Sequence, residues 1–223
     1  LGGSASAHLF HSRSKYFHVV WFLTDFLTIS IFITGIGIQR YYDSMQLLPA
    51  GFPLRSIYIP LLILVAFAHF FVGGYLFVQY TFWKPRLFMR MPVSLTAAIY
   101  LYIPLIPRYL WDQDWTESGL HSHTKAFLWL ILSGVFMGGQ VPERFCPGKF
   151  DFVGYGHQIF HVCVVFVADN LIDGAYADLQ HSLRRPWSGA VSGLDLMLPM
   201  CTLVAIDLIA FWYFVRAARV KHE

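Results

Sequence analysis

Residues 57–80 read IYIPLLILVAFAHFFVGGYLFVQY, a run without a single Asp, Glu, Lys or Arg. Roughly 20 such residues in a helix suffice to cross the hydrocarbon core of a bilayer. The stretch is therefore read as a transmembrane helix, and the rest of the chain repeats the pattern. Runs of comparable length occur at 17–38, 155–171 and 193–215. Two shorter runs, 92–109 and 126–141, carry Pro104, Pro107 and the Gly138-Gly139 pair, yet their aromatic and aliphatic content still favours burial in lipid or bundle. Residues 1–10 are apolar but too short to cross alone. They have neither the basic leader nor the cleavage site of a signal peptide and read as the last turns of a helix that starts upstream. The expected fold is an all-α, polytopic transmembrane helical bundle, one domain over 1–223, with six full spans plus the end of another. There is no internal repeat, low-complexity tract or soluble domain.

Composition agrees. Hydrophobic residues make up 57% and charged residues 13% of the chain, more apolar surface than globular packing hides from water. The lipid bilayer is the first partner. A net charge of +3, spread in short clusters between apolar runs, gives no basic face for nucleic acid. Cys146, Cys163 and Cys201 lack the even count and spacing of a disulfide framework and are read as reduced thiols.

Short cytosolic loops collect Lys and Arg. The odd-numbered connections and the tail hold Arg13, Lys15, Lys84, Arg86, Arg90, Arg144, Lys149, Arg216, Arg219 and Lys221. The even ones hold Arg40, Arg55, Arg108, Lys125, Arg184 and Arg185, diluted by Asp43, Asp112, Asp114, Glu117, Asp173 and Asp178. This bias puts the odd loops and the C-terminus in the cytosol. Trp83, Trp111, Trp115 and Trp187 fall near the interfaces, where amphipathic rings settle.

Ionisable groups at membrane depth are costly, so each is a functional candidate: His8, Asp25, His69, His157, His161, Asp169, Asp195 and Asp207. His157 and His161 stand at i and i+4, one above the other on one helix face, and suit either a shared metal ion or two hydrogen-bonded structural histidines. They follow a cytosolic connection, and His8 precedes the cytosolic Arg13. Asp25 enters its span from the same side, about 12 Å deep at the helical rise. All four occupy the cytosolic half of the bilayer, which favours the metal. Three neutral imidazoles with a fourth position open is the composition of a catalytic zinc site. Asp25 is placed to hold a water or accept its proton, and Ser4, one turn before His8, either hydrogen-bonds within the site or eases helix packing as a small residue. His11 competes with His8 but adjoins the interfacial Ser12-Arg13-Ser14-Lys15. His69 is expected in a helix-to-helix hydrogen bond, and Asp207 needs a partner that spacing does not name.

The run Val141-Pro142-Glu143-Arg144-Phe145-Cys146-Pro147-Gly148-Lys149-Phe150-Asp151, followed by Gly156-His157-Gln158-Ile159-Phe160-His161, resembles the signature of the progestin and adipoQ receptor family. The order Ser4, His8, Asp25 is similar to that family's second and third spans. The resemblance implies zinc ligation by His8, His157 and His161, catalytic roles for Asp25 and Ser4 beside the metal, and a parent of seven or eight spans truncated here at its N-terminus. The span at 193–215 and the segments 7–12 and 151–157 look most like the membrane progestin receptors. It further implies a plasma-membrane receptor that binds a steroid such as a progestin, or a sphingolipid, and signals to a cytosolic protein. Ceramidase-like activity, hydrolysing an amide with zinc, is a second implied function. A receptor whose zinc is a purely structural clamp is the alternative, and a transporter, suggested by intramembrane Asp and His, is the outsider for want of an internal repeat.

Overall fold

A segment surrounded by lipid must satisfy its own backbone donors and acceptors, so these apolar runs fold as helices. The computed structural model describes residues 1–44, 48–49, 51–80, 86–111, 119–184 and 192–222. Among them the chain forms α1 (Gly2–Phe10), α2 (Lys15–Ser44), α3 (Pro53–Gln79), α4 (Arg86–Tyr102), α5 (Ile106–Trp111), α6 (Leu120–Gly139), α7 (Gly156–Arg184) and α8 (Gly193–His222), with 3-10 turns at His11–Arg13 and Ile103–Leu105 and no strand. Trp83, Lys84, Asp112, Asp114, Trp115, Glu117, Arg185 and Trp187 lie outside the described residues, as do the side chains of Arg86, Trp111 and Arg184.

Five helical stretches are long and apolar enough to cross a membrane: Lys15–Ser44, Pro53–Gln79, Met89–Leu110, Gly156–Leu183 and Gly193–Lys221. The third contains the 3-10 turn at Ile103–Leu105, where Pro104 removes a backbone donor, as Pro107 does in the turn that follows. The sixth expected span, 126–141, lies in α6. That helix starts six residues earlier, with His121, Ser122, His123, Thr124 and Lys125 in its first turns, and these polar residues keep it off the membrane-crossing set. Helices also overrun the apolar runs elsewhere, α2 to Ser44 and α7 to Arg184, because a helix continues through polar residues wherever no breaker intervenes.

The chain divides into two compact units, Leu1–Pro107 with Gly189–Glu223, and Arg108–Ser188. In the first, α2, α3 and α8 bury two apolar layers. One is built from Val19, Leu23, Phe26, Phe70, Phe77, Ala210 and Phe214, the other from Ile33, Ile38, Tyr58, Leu62, Ala66 and Leu203, joined by Ala97 and Leu101 of α4. A Cβ on Gly74 would come within 2.8 Å of the Phe214 ring, so the small residue is what admits α8. Lys221 closes the end of α3 by donating to the carbonyls of Val78 (3.0 Å) and Gln79 (2.6 Å).

Polar groups inside this unit are paired across helices. The Ser30 hydroxyl donates to Asp207 Oδ2 at 2.7 Å and lies 3.1 Å from the Ala66 carbonyl, so Ser30 is the partner that spacing could not name. His69 Nε2 lies 3.2 Å from Ser94 Oγ, the helix-to-helix bond expected of it. Arg40, counted above among connection charges, is instead buried. It donates to the Leu101 carbonyl at 2.9 Å and stacks on Tyr102 at 4.2 Å.

The second unit packs α6 against α7. Asp178, counted above among connection charges, lies within α7, is buried and accepts from Arg108 Nη2 (2.7 Å) and the Gly119 amide (2.9 Å) at one oxygen, and meets His123 Nε2 (2.8 Å) at the other. A Cβ on Gly174 would stand 2.8 Å from the His123 ring. Glycine there lets the imidazole lie against the α7 backbone.

Candidate metal centre

Residues 140–155, which include the run 141–151 of the family resemblance, fold as a chain of turns leading into α7. Gln140 ends α6 in the left-handed conformation, and Gly148 and Gly154 take positive φ of 84° and 81°, which glycine alone adopts without cost. The Val141-Pro142 peptide is cis. Glu143 Oε2 accepts from the Gly156 amide at 2.6 Å, so a carboxylate satisfies one of the bare donors at the positive end of α7. A Cβ on Gly156 would lie 2.5 Å from the Phe136 carbonyl oxygen. The first turn of α7 is thus seated on the last turn of α6, and His157 is the next residue.

His157 and His161 do what the i, i+4 spacing predicts. Their Nε2 atoms face each other at 3.1 Å, with the rings nearly perpendicular at 87°. Met137 of α6 puts its sulfur 3.0 Å from His157 Nδ1, and the Phe160 ring stacks on His157 at 5.7 Å. A tetrahedral ion bound at about 2.0–2.1 Å keeps two nitrogen ligands roughly 3.3 Å apart. The observed separation fits that requirement, and it equally fits one ring N–H donating to the other ring.

In the first unit, α1 and α2 run back to back through the turn at His11–Arg13. Asp25 is buried, and Ser4, His8 and Arg90 are near enough to interact with its carboxylate. Asp25 Oδ1 has no hydrogen-bond partner. Arg90 also lies over the ring of Phe26, the residue after Asp25, at 4.0 Å. A Cβ on Gly3 would collide with Thr28, so glycine is what brings Ser4 within reach of Asp25. His11 is committed elsewhere, its Nδ1 lying 2.9 Å from the His8 carbonyl and 3.1 Å from that of Ala7. That is a cap on the end of α1, and it leaves His8 as the histidine that interacts with Asp25.

The expected residues therefore form two groups, Ser4, His8 and Asp25 in one unit, His157 and His161 in the other. Arg90, read as a connection charge, belongs with the first group. Asp178, Arg108 and His123 were read as loop charge or passed over, because no short spacing joins residues so far apart in sequence.

Comparison with known proteins completes the description. Residues 1–168 match the Haemolysin-III related family. Over 197 residues the chain is 28% identical to membrane progestin receptor gamma of Mus musculus, covering 85% of this chain and 58% of that protein. It is 24% identical over 209 residues to membrane progestin receptor alpha of Homo sapiens (88% and 59%) and 26% identical over 211 residues to the beta form of Mus musculus (91% and 58%). The chain thus spans less than two thirds of the length of these relatives. No solved structure matches. With several helices fit to cross a bilayer and membrane receptors as relatives, this is an integral membrane protein, and it belongs to the Haemolysin-III related family, in line with its resemblance to the progestin and adipoQ receptors.

Proposed function

We propose that the chain is the membrane-embedded part of a plasma-membrane receptor for a steroid or sphingolipid, with a zinc ion held by His8, His157 and His161 near the cytosolic face and an amide-hydrolysing capacity centred there. In this reading the odd connections and C-terminus face the cytosol, where a signalling protein is engaged. The observation that carries the proposal is the 3.1 Å approach of the His157 and His161 nitrogens at the seated foot of α7. The receptor role rests on the relatives, which are membrane progestin receptors.

Bound zinc would supply Lewis-acid polarisation of an amide carbonyl and a water acidified toward neutrality. The protein contributes the rest. Asp25 offers the unpaired Oδ1 as proton acceptor, Ser4 fixes the carboxylate's orientation, and Arg90 supplies a compensating positive charge. Buried placement of Asp25 keeps competing water out.

The test is zinc per protein and ceramide hydrolysis for the purified full-length parent, beside Asp25→Asn and His161→Ala. About one equivalent of zinc in the parent and in Asp25→Asn, with turnover lost in both variants, is the expected result. Zinc without turnover in the parent reduces the site to a structural clamp, and absence of zinc overturns the metal site.

A further inference from the structure

The loop that seats α7 carries a second feature. Phe152, Val153 and Phe145 are 90%, 78% and 74% exposed, although the backbone beneath them is held at nearly every step. Arg144 N donates to the Gln140 carbonyl at 2.8 Å, Phe145 N to that of Pro142 at 2.9 Å, and Lys149 N to that of Cys146 at 3.2 Å. The Asp151 carboxylate accepts from Gly148 N at 3.2 Å. Gln158 of α7 reaches back with both ends of its amide, accepting from Gly154 N at 2.7 Å and donating to the Phe152 carbonyl at 3.1 Å. A bonded loop that holds bulky apolar side chains outward presents them to something.

We infer that this loop is a membrane-interface anchor, inserting Phe145, Phe152 and Val153 into the headgroup region of the leaflet on its side. Lipid is the occupant that position favours, because α7 is apolar enough to cross the bilayer from Gly156 onward and Phe152 precedes that start by about one helical turn. Aromatic and aliphatic side chains at this depth bury their rings beneath the headgroups. Charge agrees: Glu143 and Asp151 are engaged with backbone amides, while Arg144 and Lys149 stand exposed, as suits contact with acidic headgroups. Through Gln158 the anchor is tied to the turn that bears His157, so the first turn of α7 takes its depth from the membrane surface. The anchor rests on the loop alone and does not need a metal.

The test uses the full-length parent with Cys146→Ser and Cys201→Ser, since Cys163 is buried. Nitroxide labels on Phe145→Cys, Phe152→Cys and, as control, Lys149→Cys are compared in vesicles of phosphatidylcholine and phosphatidylserine for collision with oxygen and with a water-soluble nickel chelate. A ratio of oxygen to nickel accessibility several-fold higher at 145 and 152 than at 149 is expected. Nickel-dominated collision at 145 and 152 overturns the anchor in favour of an aqueous loop. Shielding from both reagents overturns it in favour of a protein cover. Zinc measured on the same samples separates this outcome from failure of the metal site.

Discussion

The two ends of the α6–α7 pair both carry histidine and use it differently. At one end His123 Nε2 meets the Asp178 carboxylate, which Arg108 and the Gly119 amide also satisfy. At the other, His157 and His161 bring two Nε2 atoms to 3.1 Å with the nearest carboxylate of that loop, Glu143, turned away to the Gly156 amide. A histidine given its own acid is spent on holding helices together. Two imidazoles aimed at each other on one helix face, with Glu143 bonded to the backbone, are the arrangement that the proposed cation would bridge. His123 is fully buried whereas His157 and His161 are half-buried, and in the proposed reading the placement of the carboxylate separates a structural histidine from a ligating one.

The strongest way to break this contrast is Asp178→Ala. Removing one partner of a buried ion-pair network leaves Arg108 and His123 uncompensated, which costs about 3–5 kcal/mol. Thermal unfolding in detergent should show that loss, while zinc content stays near that of the parent. His161→Ala should behave oppositely, losing zinc with little effect on the stability of metal-stripped protein. If Asp178→Ala loses the metal and His161→Ala does not, the roles assigned to the two ends are reversed.

A smaller effect sharpens the same end. Gly174→Ala places a methyl 2.8 Å from the His123 ring, so either the imidazole leaves Asp178 or α6 moves off α7. Overpacking of this kind costs about 1–3 kcal/mol, and the unfolding midpoint should fall by less than for Asp178→Ala. Equal or larger destabilisation would show that helix contact, rather than the ion pair, dominates that end.

Much of this was legible in sequence, and the pattern of success has a physical basis. Apolar runs located α2, α3, α7 and α8 because the bilayer sets a minimum length that 57–80 meets without a charge. The ends were not legible, since α2 and α7 continue through polar turns, and the polar start of α6 blurred a span. His157 and His161 were found because i, i+4 is a local relation written into the helix. Ser30 with Asp207, and Arg108 with Asp178 and His123, meet only through tertiary packing, which leaves no spacing to read. Arg40 and Arg108 were misread as connection charges for the same reason, their buried partners lying on helices distant in sequence.

Glu143 offers the most delicate test, because it acts on the backbone ahead of His157. Its carboxylate meets the Gly156 amide at 2.6 Å, one residue before His157, so it fixes where the turn that bears His157 begins. Glu143→Ala removes an acceptor from a helix N-terminus and should cost about 1 kcal/mol of stability. Glu143→Gln keeps an acceptor and gives up the charge, a loss of about 0.3–1 kcal/mol. If the loop acts by orienting His157, zinc affinity in competition with a chelator should fall roughly tenfold for Glu143→Ala and less for Glu143→Gln, although both are milder in unfolding than Asp178→Ala. Affinity that follows stability across all three variants would mean the histidines bind wherever the unit is folded. Affinity that falls at Glu143 and holds at Asp178 would mean the loop sets the geometry of the site.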